Sequence, residues 1–452
     1  LLQTKTQSSP KQGQWRSRQN GGALAPVTKQ GACCALIAAV LAGTAVAAPC
    51  SGPTVTATAI QAGEPLSLDA VLAEIRNASP EVRKAALETR AREADADQAG
   101  RWLNPSIGLE LENFSGSGPL AGFDQTETTF SVAQTFQLGG KRTKRQRAAR
   151  ASAALATAEC SAILRETELE AVTLFYELDA AVQLVRLANQ SADLADTLSE
   201  TVGKRVDAGA AAPPELSRAK ADAAALRAVA AQTRGDMEAL RYDLSALWGS
   251  ADPVFEAPVL PMTAPTHPGA ANLAQHPAVK VAEAGIVARQ AEQDLARAQA
   301  APDLTLSAGM RQFEQTGDTA FLIGVSVPVP LFDRNRDATR AAGYRVDARR
   351  TDRVAVEARL LASQRASVSQ VRAAQERLAL LENDALPSAR AAYEASVQGY
   401  AAGKFDLTST LDARKGLIEA GVAVIDAARA LNTENMRLRS LIGAAPFNGD
   451  IQ

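Results

Sequence analysis

The chain has 452 residues, a formal net charge of −2, aromatic residues at 4% and four cysteines. A charge so near zero gives no electrostatic footprint for nucleic acid or another polyanion. Few aromatics and abundant alanine argue against large compact cores and for long, thin, closely packed helices.

Residues 1–47 read as an export signal. Arg16, Arg18 and Lys29 precede an apolar run from Ala32 to Val46, which ends in the small residues Ala45-Val-Ala47 that suit cleavage. The first methionine is Met237, and a start at Val27 through a GTG codon would give a conventional short basic region. The run is too short for a comfortable helical span, and no later segment approaches one. Cys33 and Cys34 fall in the signal, which leaves Cys50 in an irregular arm (48–65) and Cys160 in a helix; no disulfide framework is expected. Acylation of Cys50 is disfavoured because Ala47-Ala48-Pro49 lacks the expected small residue immediately before the cysteine.

Residues 66–250 form a first repeat. Leu66 to Gly100 reads as helix, bent at Ser79-Pro80, where proline opens a new first turn. Two strands follow, at about 106–114 and 127–138. In the first, Ile107, Leu109 and Leu111 alternate with Gly108, Glu110 and Glu112; in the second, Phe130, Val132, Phe136 and Leu138 oppose Thr129, Ser131, Ala133, Thr135 and Gln137. At roughly 9–11 residues such strands cross a bilayer when tilted. A basic burst then opens a helix: Lys141, Arg142, Lys144, Arg145, Arg147 and Arg150. Positive charge there opposes the helix dipole, so another attraction must offset it. A layer of lipid phosphates at the membrane edge is the economical partner, with Arg334 and Arg336 in the equivalent place later on. From about Arg147 to Gly203 a heptad runs through Leu164, Ala171, Leu178, Val185 and Ala192 at one seam position and Leu174, Ala181, Ala188, Ala195 and Val202 at the other. Glu170, Glu177, Asp179, Arg186 and Asp193 are assigned to the other faces. Residues 205–214 reverse the chain, and a helix from Glu215 to Trp248 returns antiparallel.

A Pro-rich linker (251–270) leads to a second repeat (271–444), with strands at about 303–312 and 320–329 and a tail at 445–452. Pro80 precedes Pro105 by 25 positions, as Pro277 precedes Pro302; Gly209 and Leu247 are answered by Gly403 and Leu441 at an offset of 194. This is a tandem duplication. Gly209 and Gly403 suit the tight backbone of the two helix reversals.

Four short amphipathic strands cannot close a barrel, and open edges are not tolerated in lipid, so strands from several chains must combine. The fold class is therefore mainly α with a small β part: duplicated coiled-coil hairpins form a helical tunnel, and four strands per chain contribute to a shared transmembrane barrel. Alternation places Glu110 and Glu112 on the lumen side. A soluble periplasmic coiled-coil scaffold is the competing class. His267 and His276 sit in or beside the linker without cysteine or carboxylate at ligand spacing, and no nucleotide fingerprint or nucleophile motif occurs. No enzyme activity, cofactor or metal site is expected.

The double repeat resembles the TolC-type outer-membrane efflux family. The resemblance rests on Asn104-Pro105, Gln137-Leu-Gly-Gly-Lys-Arg142, Val329-Pro-Leu-Phe-Asp333, Tyr400-Ala-Ala-Gly-Lys404 and Leu411-Asp-Ala413. The Leu-Gly-Gly-Lys-Arg form is similar to the heavy-metal, cobalt-zinc-cadmium resistance branch, with multidrug or type I protein export as the alternative within the class. The resemblance implies a homotrimer with a twelve-stranded barrel in outer-membrane lipid and a helical tunnel in the periplasm. It also implies a periplasmic adaptor and an inner-membrane resistance-nodulation-division pump as partners. The family places the helix reversals at the periplasmic entrance, where two inward aspartates are common. Asp412 matches the second, Ser409 falls at the first, and Asp406 and Asp207 lie nearby.

Overall fold

The computed structural model describes Cys50, residues 63–258 and residues 273–442. The export signal, most of the arm, His267 and the tail lie outside the described residues. Helices α1 (Leu68–Ala78) and α2 (Pro80–Ala99) meet at Ser79, where Pro80 occupies a first helical turn; Ser67 caps α1 by accepting from the Ala70 amide. Strands β1 (Ser106–Glu112) and β2 (Glu127–Phe136) follow, then the long α3 (Lys141–Asp207) and its return α4 (Pro213–Ala246). The second half repeats the program with α5 (Pro277–Ala298), β3 (Leu304–Phe313), β4 (Thr319–Ser326), α6 (Arg336–Leu380), a π-turn over Leu381–Ala385, α7 (Leu386–Ala401) and α8 (Leu407–Leu441).

The four strands form one antiparallel sheet in the order β1-β2-β3-β4. Its register sorts side chains by chemistry. Leu109, Phe130, Met310 and Phe321 share one cross-strand row and Ile107, Val132, Ala308 and Ile323 another, all on one face. The opposite face carries Glu110, Thr129 and Arg311 in one row and Gly108, Ser131 and Gly309 in the next. The apolar face is unusually bare: Phe321 is 85% exposed and Ile323 88%. No helix among the described residues is long and apolar enough to cross a membrane.

At 67 residues, α3 is longer at both ends than its heptad suggests, about 100 Å at 1.5 Å per residue. Eight of the ten seam residues are buried, and Leu174 and Val185 are half-buried. Asp179, assigned to an outer face, is buried and accepts from Gln183 Nε2 at 2.9 Å. The reason is that α3 packs against α2, α4, α5 and α8, so more than one of its faces is covered. Buried Glu168 is likewise held by Arg76 at 2.6 Å and Arg165 at 3.5 Å.

A core gathers Leu66, Val71, Ile75, Val82, Leu164, Phe175, Leu178, Leu244 and Phe255. Two of these residues lie outside the helices. Leu66, expected to open the first helix, precedes it, since α1 starts at Leu68, and Phe255 lies in the linker; Pro65 bridges Glu256, and the Leu66 amide donates to the Glu256 carbonyl at 3.0 Å. Cys50 reaches the same core and is disulfide-bonded to Cys160. The expectation of no disulfide framework is thereby corrected: Cys50 lies against α3, bonded to a cysteine 110 positions away.

Candidate functional site

Two regions carry the chemistry. On the polar face of the sheet, Arg311 is held between two carboxylates, 2.6 Å from Glu112 and 2.6 Å from Glu127, and its Nε donates to Thr129 Oγ1 at 2.9 Å. Glu110 stands exposed on the same face, next to Glu112 along the strand. These positions lie toward the β1–β2 loop, which is tied by a hydrogen bond from the Ser115 amide to the Gly122 carbonyl and by stacked Phe114 and Phe123. Three carboxylates to one guanidinium leave this end of the face negative.

At the other end of the sheet the basic burst finds partners within the chain. Lys141 lies 2.8 Å from Asp303, and Lys144 lies 3.4 Å from Asp294. Arg142 stacks over Trp102 at 4.5 Å and donates to the Gly100 carbonyl. Arg145 donates to the carbonyls of Ala99 and Arg101 and to Gln137 Oε1. The unfavourable dipole at the start of α3 is thus offset by the carbonyl end of α2 and by two aspartates. Arg334 and Arg336 are exposed.

The second region is where the α3–α4 and α7–α8 reversals meet. Gly209 and Gly403 adopt φ of 72° and 74°, a left-handed backbone that a β-carbon would strain. Around them Leu198, Val202, Ala219, Tyr400, Leu407 and Leu411 pack together. Polar bonds then fasten one hairpin to the other. Arg205 donates to the Tyr400 carbonyl and lies 4.4 Å over its ring, while the Tyr400 hydroxyl donates to Glu215 at 3.1 Å. Burial first, and the Glu215 bond second, push that hydroxyl above its ordinary pKa, so it stays a donor. Arg218 donates to Thr408 Oγ1 at 3.0 Å, and buried Arg414 pairs with Asp222. Every one of these links joins residues at least 185 positions apart.

The four predicted entrance residues separate here. Asp406 is the N-cap of α8, accepting from the Ser409 amide at 3.0 Å and from its hydroxyl. Those two bonds hold the Asp406 carboxyl below its ordinary range. Ser409, standing where an aspartate was looked for, is therefore a donor to the cap. Asp412, two positions before Arg414, is exposed, as is Asp207 at the end of α3. Tyr400 was visible as part of a motif, but Arg205, Glu215, Asp222 and Arg414 were not singled out. Only the pairing of two distant hairpins gives them a role. His276 caps α5, its Nδ1 accepting from the Ala278 amide at 3.2 Å; burial lowers its pKa, and no metal-holding cluster occurs among the described residues.

A profile described as Outer membrane efflux protein matches residues 71–250 and 270–444. The chain belongs to this family. It is 30% identical over 375 residues to the cobalt-zinc-cadmium resistance protein CzcC of Cupriavidus metallidurans, covering 80% of this chain and 86% of that one. It is also 30% identical over 333 residues to the nickel-cobalt-cadmium resistance protein NccC of Alcaligenes xylosoxydans xylosoxydans, covering 72% and 76%. Among solved structures, the fold matches the outer membrane protein VceC of Vibrio cholerae with a TM-score of 0.69 at 22% identity, over 83% of this chain and 96% of that one. CusC matches with a TM-score of 0.73 at 15% identity, over 85% and 94%. This chain is an outer-membrane efflux component with the fold of those solved proteins, and the reading as a soluble scaffold is set aside.

Proposed function

We propose that three copies of this chain form the outer-membrane duct of a heavy-metal efflux system. The observation that carries the assembly is the sheet itself. Its faces segregate in register, its apolar face is bare, and β1 and β4 each present an open edge. In lipid those edges need partners, and β4 of one copy against β1 of the next continues the antiparallel alternation. Three copies give twelve strands, with Glu110, Glu112, Glu127 and Arg311 lining the lumen. Exposed Arg334 and Arg336 then lie at the level of the lipid phosphates.

The duct does no chemistry of its own. Energy comes from an inner-membrane pump of the resistance-nodulation-division class, coupled through a periplasmic adaptor. The reversals form the entrance: Arg205–Tyr400–Glu215 and Arg414–Asp222 fasten the α7–α8 hairpin to the α3–α4 hairpin, and opening requires those links to part. Exposed Asp412, repeated three times, concentrates cations and repels anions. Metal cargo is supported by the named activities of the CzcC and NccC relatives.

Deletion of the gene, scored as growth across zinc, cadmium, cobalt, nickel, copper and several drugs, tests the reading. Metal-selective sensitivity, restored by the wild-type chain and only partly by Asp412→Ala, is expected. Drug-only sensitivity would discard the metal assignment and keep the duct.

A further inference from the structure

We propose that the Cys50–Cys160 disulfide is the covalent anchor of the N-terminal arm and that it stands in place of a lipid on Cys50. The two Cα atoms lie 5.4 Å apart, inside the range a disulfide spans. Both residues are enclosed, Cys50 at 2% exposure and Cys160 at 0%, in the core formed by Leu66, Val71, Ile75, Leu164, Phe175 and Phe255. Just beyond the staple the arm is tied again, through the Gly63 amide to the Val254 carbonyl at 3.2 Å and the Glu256 amide to the Glu64 carbonyl at 3.0 Å.

A thioether-linked lipid requires the same sulfur, so the two fates of Cys50 exclude each other. Position decides between them. Cys160 lies 19 residues into α3 from Lys141, about 28 Å along the helix from the end joined to the strands. A lipid attached at Cys50 would start inside a packed core, far from the level at which the sheet meets lipid. The cleavage expected after Ala47 would leave Cys50 as the third residue of the mature chain and not the first, the position a lipid requires. The staple forms as two thiols give up two protons and two electrons to a protein disulfide of the oxidising periplasm, which becomes a dithiol.

The test is the intact mass of the full chain, purified from outer membranes and alkylated with N-ethylmaleimide in denaturant. Without reductant we expect an unacylated chain beginning at Ala48 with no maleimide added, and after reduction two maleimides. A diacylglyceryl adduct on Cys50, or two maleimides before reduction, overturns the proposal. Cys50→Ser, Cys160→Ser and the double variant provide an independent reading. All three should stay in the outer membrane with the same lowered unfolding midpoint, since each removes the same bond. Loss of Cys50→Ser from the membrane while Cys160→Ser remains there would identify a lipid anchor. Neither measurement depends on what the duct carries.

Discussion

Substituting Asp222 by alanine strands Arg414, whose side chain is 3% exposed, without its carboxylate, itself 33% exposed. Removing one partner of a fully buried ion pair costs about 3–5 kcal/mol. Water reaches Asp222, so we discount the loss to about 1–2 kcal/mol. If opening already parts the pair, the loss falls on the closed entrance alone. A shift of about 1.4 kcal/mol changes the open fraction about tenfold. Tyr400→Phe keeps the ring under Arg205 and deletes only the bond to Glu215, worth about 1.5 kcal/mol for a charged acceptor, and should act in the same direction. The control is Arg437→Ala, which removes an exposed guanidinium from half-buried Glu434 at 3.7 Å, a contact worth under about 1 kcal/mol. Single-channel recording in planar bilayers reads the open fraction directly. Assembled Asp222→Ala and Tyr400→Phe channels that open no more often than wild type would refute the latch.

On the polar face proposed to line the lumen, Arg311→Gln frees Glu112 and Glu127 and should raise cation selectivity, whereas Glu110→Gln should lower it; reversal potentials across a salt gradient check both. Ile323→Arg on the bare apolar face should cost about 2–4 kcal/mol near mid-membrane and block assembly, read as loss of the heat-resistant oligomer. The depressed Asp406 carboxyl contributes stability that is fully present above its unfolded pKa near 3.8 and is lost as pH falls through the lower folded value. Hydrogen exchange at the Ser409 amide should therefore accelerate, relative to its intrinsic rate, in strong acid, and Asp406→Ala should remove that dependence. Reducing the Cys50–Cys160 bond reopens a loop of 110 positions, for which chain entropy predicts a loss of about 4–5 kcal/mol, measurable by urea unfolding.

The parts of the architecture written as local period were readable in advance. Alternation at Ile107 to Glu112 and Phe130 to Phe136 identified strands whose faces the register then joined across four chain segments, although β2 stops two residues short of the expected Leu138. The heptad from Leu164 to Val202 located the α3 seam, and Gly209 and Gly403 marked the reversals because a left-handed backbone excludes most other residues. What period cannot carry is partnership over distance. Arg414 and Asp222 are 192 positions apart, and each alone reads as an ordinary charge on a helix. Asp179 was misplaced for a related reason: a single seam defines one buried face, and α3 has several neighbours. Cys50 stood in a segment with no periodicity, so its return to Cys160 had no local signal. Ser409 shows the converse, since a residue aligned with a gate aspartate acts here within a helix cap.

The proposed duct requires a barrel that one four-stranded sheet cannot close. Native mass spectrometry of the protein extracted from outer membranes in mild detergent measures the copy number without reference to cargo or gate. We predict three copies, which supply twelve strands and pair every edge of the β1-β2-β3-β4 sheet. A single copy, or an assembly of two or four, would contradict the twelve-stranded duct.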